Sequence, residues 1–281
     1  MKKAIGIGAF PPCWPLERCT KLAREAGFDG IELGYALEGL VSHETGPAEV
    51  RRIRGIVEAS GLEVVSLTSG ILLRFSLISA DEAVRTTAKE HVRNMLRLAA
   101  GLGTDTILVI PGLAGPIIEA GPPLIEDYEA AFSLGQAELR ELVPCAQAEG
   151  VHIAVENVWN KFLTGPLEMR QFIDGVGSPL VGAYFDAGNV LRIGYPEHWI
   201  RILGQRIRRV HIKDFRVSVG NMHGFVDLLQ GDLDFGAMME ALRAVGYDGW
   251  LTAELPAQAT YPEELIFSTA RRMEHIMKVP A

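Results

Sequence analysis

The chain has 281 residues, 48% of them hydrophobic and 22% charged, which supplies a large core and excludes a disordered protein. Its 35 acidic residues outnumber 27 lysines and arginines, and the net charge of −8 argues against a nucleic-acid binder that relies on a general basic field. No run of about 18 apolar residues is present to span a membrane, and three cysteines (Cys13, Cys19 and Cys145) with no C-x-x-C pair point to reduced thiols and a cytoplasmic address.

Residues 4–10 predict a strand rather than a signal peptide, because the apolar run is short and glycine-rich and Pro11-Pro12 follows it. A helix follows at 16–26, closed by Gly27. A second strand is expected at 30–34, then a helix at 47–60 that Pro47 opens and Gly61 closes, then a third strand at 62–68. Residues 81–100 read as a long helix: Asp81 can cap it, and Val84, Ala88, Val92, Met95, Leu96 and Ala99 form one apolar stripe. A fourth strand at 106–110 leads into a Gly/Pro-rich loop at 112–123.

The second half repeats the alternation. Helices are expected at 125–149, 167–174, 196–203, 235–245 and 262–277, and strands at 151–155, 180–185, 207–212 and 250–253, with a long loop at 214–232. Eight strand-then-helix units with short apolar strands predict a single (β/α)8 TIM barrel over residues 1–281. An open doubly wound sheet is the competing topology, but Gly6-Ile7-Gly8 lacks the later glycine of a dinucleotide-binding turn. In a barrel both long loops lie at the C-terminal face, where such folds build their sites.

Each late strand delivers a chemically capable residue to that face. The fifth ends in Glu156, the sixth in Asp186 and the seventh in His211, and the eighth is followed by Glu254. Taken singly, each has an ordinary explanation as a cap, a turn residue or a local hydrogen-bond partner. Together, on neighbouring strands, they can converge. Three close carboxylates repel one another unless a cation sits among them. Three oxygen ligands and one imidazole suit a divalent ion such as Mn2+, Mg2+ or Co2+, with Zn2+ less favoured because no cysteine joins the set. Four protein ligands leave open positions for a bidentate substrate.

The segments Val155-Glu156-Asn157-Val158-Trp159-Asn160-Lys161, Asp186-Ala187-Gly188-Asn189, His211-Ile212-Lys213-Asp214, Gly231-Asp232-Leu233-Asp234-Phe235 and Ala253-Glu254-Leu255 resemble the sugar phosphate isomerase/epimerase family. This is the xylose-isomerase-like barrel group that includes ketose 3-epimerases. The likeness extends weakly to Gly27-Phe28-Asp29-Gly30-Ile31-Glu32 and to Gly246-Tyr247-Asp248-Gly249-Trp250. It implies one divalent ion, Mn2+ first, held by Glu156, Asp186, His211 and Glu254, with Glu156 and Glu254 also acting as acid and base. The implied reaction is epimerisation or isomerisation of a ketose or ketose phosphate through a cis-enediolate, C3 epimerisation favoured. A dehydratase or β-eliminating lyase on a keto-polyol or keto-glycoside is the alternative with the same parts.

Around these four, Arg216 resembles the arginine that reaches substrate oxygens in ketose epimerases, and Trp14, Trp159, Asn189 and Glu32 are further candidates for substrate contact. Glu32 is equally placed to serve a partner in the barrel floor, and His223 in the loop at 214–232 is a candidate lid residue. Asn189 stands where ketose 3-epimerases acting on free sugars often carry a histidine nearby. The Asp-x-Gly-Asn form with His-x-Lys-Asp is closer to the branch acting on pentulose 5-phosphates, yet no lysine or arginine lies in 112–121 to cradle a phosphate. A DNA-repair endonuclease of the same superfamily would need more strand-end histidines, and a non-catalytic scaffold would not need both Glu156 and Glu254. The expected partner is a small sugar or sugar phosphate, with no nucleic acid or membrane and with a homo-oligomeric assembly.

Overall fold

In the computed structural model, which describes residues 1–115 and 126–279, eight parallel strands close on themselves. They are β1 (Lys2–Gly6), β2 (Gly30–Ala36), β3 (Glu63–Thr68), β4 (Thr106–Val109), β5 (His152–Glu156), β6 (Val181–Asp186), β7 (Ile207–Ile212) and β8 (Trp250–Ala253). Closure is by β1, which pairs with β8 through Ile5 and Ala253 and with β2 through Ile5 and Ile31. The outer helices are α1 (Leu16–Ala26), α2 (Pro47–Ala59), α3 (Glu82–Leu102), α4 (Tyr128–Glu149), α5 (Pro166–Val176), α6 (Pro196–Leu203), α7 (Phe235–Ala244) and α8 (Pro262–Met277).

Local sequence accounts for these boundaries. Gly27, Gly103 and Gly150 adopt the left-handed conformation that ends α1, α3 and α4. Asp81 caps α3 by accepting the Ala83 N–H at 2.8 Å. The first strand is shorter than expected, because the chain tightens into a single 3-10 turn at Ile7–Ala9 before Pro11-Pro12. Helix α4 runs through Pro144, whose missing N–H removes one helical bond without ending the helix. Its expected start at residue 125, and residues 116–123 of the loop before it, lie outside the described residues. The loop at 214–232 carries a small antiparallel ribbon, Asp214–Phe215 against Phe225–Val226. Among the described residues no helix is long and apolar enough to cross a membrane.

The pleat of the strands sorts the side chains into two sets. Ile107, Val109, Ile153, Val155, Ala183 and Phe185 join the large core under the helices. The alternate residues Leu108, Ile110, Ala154 and Tyr184 form a small apolar cluster of their own inside the barrel. Two residues beyond Ala154, Tyr184, Arg209 and Thr252, on the same interior face, stand Glu156, Asp186, His211 and Glu254.

Candidate metal centre

Register brings the four residues together. Asp186 pairs directly with His211; Glu156 pairs with Tyr184, two residues before Asp186, and His211 pairs with Thr252, two residues before Glu254, so the four stand within one pleat repeat of their neighbours at the same end of β5 to β8. One ligand atom from each of Glu156, Asp186, His211 and Glu254 lies within 4.8 Å of all the others. His211 Nδ1 faces the group, 3.3 Å from Glu156 Oε1, 3.6 Å from Glu254 Oε2 and 3.8 Å from Asp186 Oδ2. Glu156, Asp186 and His211 are buried, whereas the Glu254 side chain is 42% exposed toward the mouth.

The opposite ring nitrogen is anchored. His211 Nε2 lies 3.0 Å from Glu32 Oε1 and 3.1 Å from Oε2. Glu32 also accepts from Ser66 Oγ at 2.6 Å and from the Tyr184 hydroxyl, all inside the barrel. A carboxylate behind a histidine fixes its tautomer and leaves the other nitrogen free for a metal. Glu32 therefore stands behind His211, with its carboxylate contacted by three donors.

Asp186 is held from both sides. Its backbone N–H donates to Asn157 Oδ1 at 2.8 Å, and its carbonyl accepts from Asn157 Nδ2 at 2.8 Å. Its Oδ1 accepts the Asn189 N–H at 2.7 Å, while Asn189 Nδ2 donates to the Asn157 carbonyl at 2.9 Å. This leaves Oδ2, fully buried, with no hydrogen bond. Lys213 Nζ stands 3.0 Å from it, close enough for charge attraction but outside hydrogen-bond geometry, and also pairs with Glu254 Oε2.

The electrostatics are asymmetric. Burial, with the Glu254 charge added, pushes Glu156 up to about 7. Burial alone would raise Glu254 too, but the Lys213 ammonium and His211 outweigh it and hold Glu254 down at about 2. Burial likewise raises Asp186, against the pull of Lys213. For His211, burial favours the neutral ring, yet Glu32 and Glu254 outweigh it and hold the imidazole well above its ordinary value. An orphaned buried oxygen, three carboxylates and a tautomer-fixed imidazole are a donor set that fits a divalent cation, whose entry requires the Nδ1 proton to leave.

A family model for the xylose isomerase-like TIM barrel matches residues 20–274. The chain belongs to that family, and it is an enzyme. It is 29% identical over 266 residues to L-ribulose 3-epimerase of Mesorhizobium japonicum (strain LMG 29417 / CECT 9101 / MAFF 303099), covering 91% of this chain and 80% of the relative. It is 25% identical over 274 residues to inosose dehydratase of Geobacillus thermodenitrificans (strain NG80-2), covering 89% of each. A solved structure of D-psicose 3-epimerase in the presence of D-fructose superposes with a TM-score of 0.79 over 99% of both chains at 18% identity, a likeness of fold.

The remaining candidates are placed differently. Trp159 donates from Nε1 to the Asn189 carbonyl at 2.8 Å, with its ring against Phe215 and Phe225 and the Arg192 guanidinium 5.0 Å from it. It forms an aromatic wall beside Lys213, whose Nζ lies 5.2 Å from the Phe225 ring. Asn189 is buried beside Asp186, its backbone N–H on Asp186 Oδ1 and its Nδ2 on the Asn157 carbonyl. Trp14 stacks under the Arg18 guanidinium at 3.6 Å and lines a separate groove with Phe10, Leu40 and Arg52 that none of the four ligand candidates lines. Arg216 is exposed and tied across its own loop, Nε donating to the Gln230 carbonyl at 3.0 Å. His223 is exposed in a short turn capped by Asn221. Lys213, Asn157, Tyr184 and Ser66 are the members that reasoning from sequence missed. Lys213 carries a legible signal, since it follows His211 by one period of the strand pleat.

Proposed function

We propose that the protein epimerises a ketose, free or phosphorylated, at the carbon beside its carbonyl, C3 being favoured. The observation that carries this reading is the convergence of two glutamates, one aspartate and one histidine from four neighbouring strands within 4.8 Å. Glu156, Asp186, His211 and Glu254 are the proposed ligands of one divalent ion, Mn2+ first, with Mg2+ and Co2+ as alternatives. When bound, such an ion supplies Lewis acidity to the oxygens of the sugar and so favours loss of the adjacent proton.

The glutamates carry the proton. Inversion needs one group to take it from one face and another to return one to the opposite face, so one glutamate starts as carboxylate and the other as acid. Positive charge beside Glu254, that of Lys213 before the ion is bound, favours the carboxylate there, and burial of Glu156 favours the acid. Asn157 and Asn189 hold Asp186, and Glu32 orients His211. Trp159 offers an apolar face to the sugar, and Arg216 and Trp14 serve the substrate only if their loops close toward the mouth. Cytoplasmic operation as one domain in a homo-oligomer accompanies this reading.

The inosose dehydratase relative supports a second outcome, β-elimination of water after the same proton abstraction. Incubation with Mn2+ and a panel of ketopentoses and ketohexoses separates the two: inversion at C3 is expected, and elimination without inversion refutes the epimerase reading. Glu156→Gln is expected to lower turnover about 10²- to 10⁴-fold; full turnover in that variant refutes the acid/base assignment.

A further inference from the structure

Lys213 puts a cation where the divalent ion is expected. It follows His211 by two residues and so shares the interior face of the barrel. Its Nζ contacts Asp186 Oδ2 and Glu254 Oε2, the same two oxygens that face His211 Nδ1 at 3.8 and 3.6 Å. Only 15% of the side chain is exposed. Its backbone is fixed, because the adjacent Asp214 carboxylate accepts the N–H groups of Phe215, Gly231 and Leu233 at 2.8, 2.8 and 3.1 Å. Its stem runs over Gly188, where an added Cβ would lie 2.5 Å from Lys213 Cγ. The ammonium already lies 5.2 Å from the Phe225 ring, inside the range of cation–π attraction, so it keeps an aromatic partner if the two carboxylates are taken from it.

We propose that Lys213 is a tethered cation that occupies the ligand oxygens of Asp186 and Glu254 in the metal-free protein and is displaced toward Phe225 when the divalent ion enters. The inference rests on the metal reading of the cluster. In the metal-free state the ammonium relieves repulsion among three carboxylates. As the ion enters, it takes over that role, and the ammonium moves to the aromatic wall, toward the open side of the site. Lys213 thus sets the metal affinity from within and brings a positive charge to the substrate's side of the site only when metal is present.

The test is Mn2+ binding by calorimetry on purified full-length protein after EDTA treatment. A neighbouring cation is worth about one to three decades in the proton equilibrium of a carboxylate, so Lys213→Met, which keeps the stem and removes the charge, is expected to bind Mn2+ about tenfold more tightly or better. Lys213→Arg, which keeps the charge, is expected to stay near the parent. EDTA-treated Lys213→Met is expected to unfold at a lower temperature than the parent, with the difference closing in Mn2+. Equal or weaker Mn2+ binding by Lys213→Met overturns the inference while leaving the metal site standing, provided Glu156→Gln weakens binding in the same assay. A parent protein that binds no divalent ion overturns both. Where Lys213→Met does not fold, the Lys213 side-chain carbon resonance, assigned by its loss in Lys213→Arg, is followed during Mg2+ titration of the parent: a saturable shift supports displacement, and an unmoved resonance overturns it.

Discussion

Replacing Glu32 with glutamine tests whether His211 is held for metal binding. The substitution keeps shape and volume but converts one acceptor oxygen into an NH2 donor. The parent carboxylate receives His211 Nε2 at 3.0 Å, Ser66 Oγ at 2.6 Å and the Tyr184 hydroxyl. An amide can keep the two hydroxyls or the imidazole, but not all three. If its NH2 turns to His211, Nε2 must accept, and the ring proton moves to Nδ1, the nitrogen 3.3 Å from Glu156 Oε1. The lone pair needed by a metal is then lost. Loss of such a supporting carboxylate costs about 10- to 100-fold in metal affinity, or about 1.4–2.7 kcal/mol. If the NH2 turns to the hydroxyls instead, the expected result is a stability loss of about 1–3 kcal/mol from mismatched buried groups. Mn2+ titration calorimetry reads the first effect and thermal unfolding in EDTA the second. Tyr184→Phe is the control: it removes one donor to Glu32 without reversing the His211 tautomer, so it lowers stability and spares Mn2+ affinity. Unchanged metal affinity and unchanged stability in Glu32→Gln would refute the anchoring role.

Two further outcomes concern packing and pH. Gly188→Ala places a Cβ 2.7 Å from the Lys213 carbonyl oxygen and closer still to its Cγ, so a loss of about 1–3 kcal/mol on thermal unfolding is expected, and full parental stability contradicts the packing described. Glu138 on α4 pairs with Arg85 at 2.8 Å and Lys89 at 2.6 Å on α3. Burial alone would raise its carboxyl, but the two cations outweigh that and hold it below its ordinary 4.5. Because the folded value lies below the unfolded one, the pair stabilises fully above that ordinary value and fades as pH falls through the lower folded one. Glu138→Gln is expected to be less stable than the parent by about 2 kcal/mol at neutral pH, with the two converging in acid; a gap that persists in acid contradicts the ion pair as its source.

The barrel was legible because its signals are local. Glycine stops, proline starts and strand-length apolar runs mark each unit, and closure follows from eight units in one chain. Glu156, Asp186, His211 and Glu254 were legible for the same reason: each stands at or just past a strand end, and neighbouring strands leave little freedom in where those ends meet. The interior network was less so. That Glu32 on β2 meets His211 on β7 and Tyr184 on β6 depends on which side chains reach across the barrel, and alternation along one strand does not reveal that. Asn189 illustrates the same limit: its position near Asp186 suggested the substrate, and its Nδ2 bond to the Asn157 carbonyl depends on the segments after β5 and β6 meeting, which the strand pattern does not reveal. Lys213 was within reach of the period-two rule, but a lysine after a strand reads as a solvated charge until the carboxylates opposite it are seen. Trp14 and Arg216 sit on loops, whose paths the strand pattern does not determine.

The most direct test of the central claim is solvent deuterium exchange at C3. The protein is incubated with Mn2+ and an accepted ketose in D2O and followed by NMR. Deuterium at C3 in both epimers, abolished by EDTA and restored by Mn2+, is the predicted result. Loss of water from the substrate without an epimer forming, or turnover with the C3 proton retained, would contradict the account.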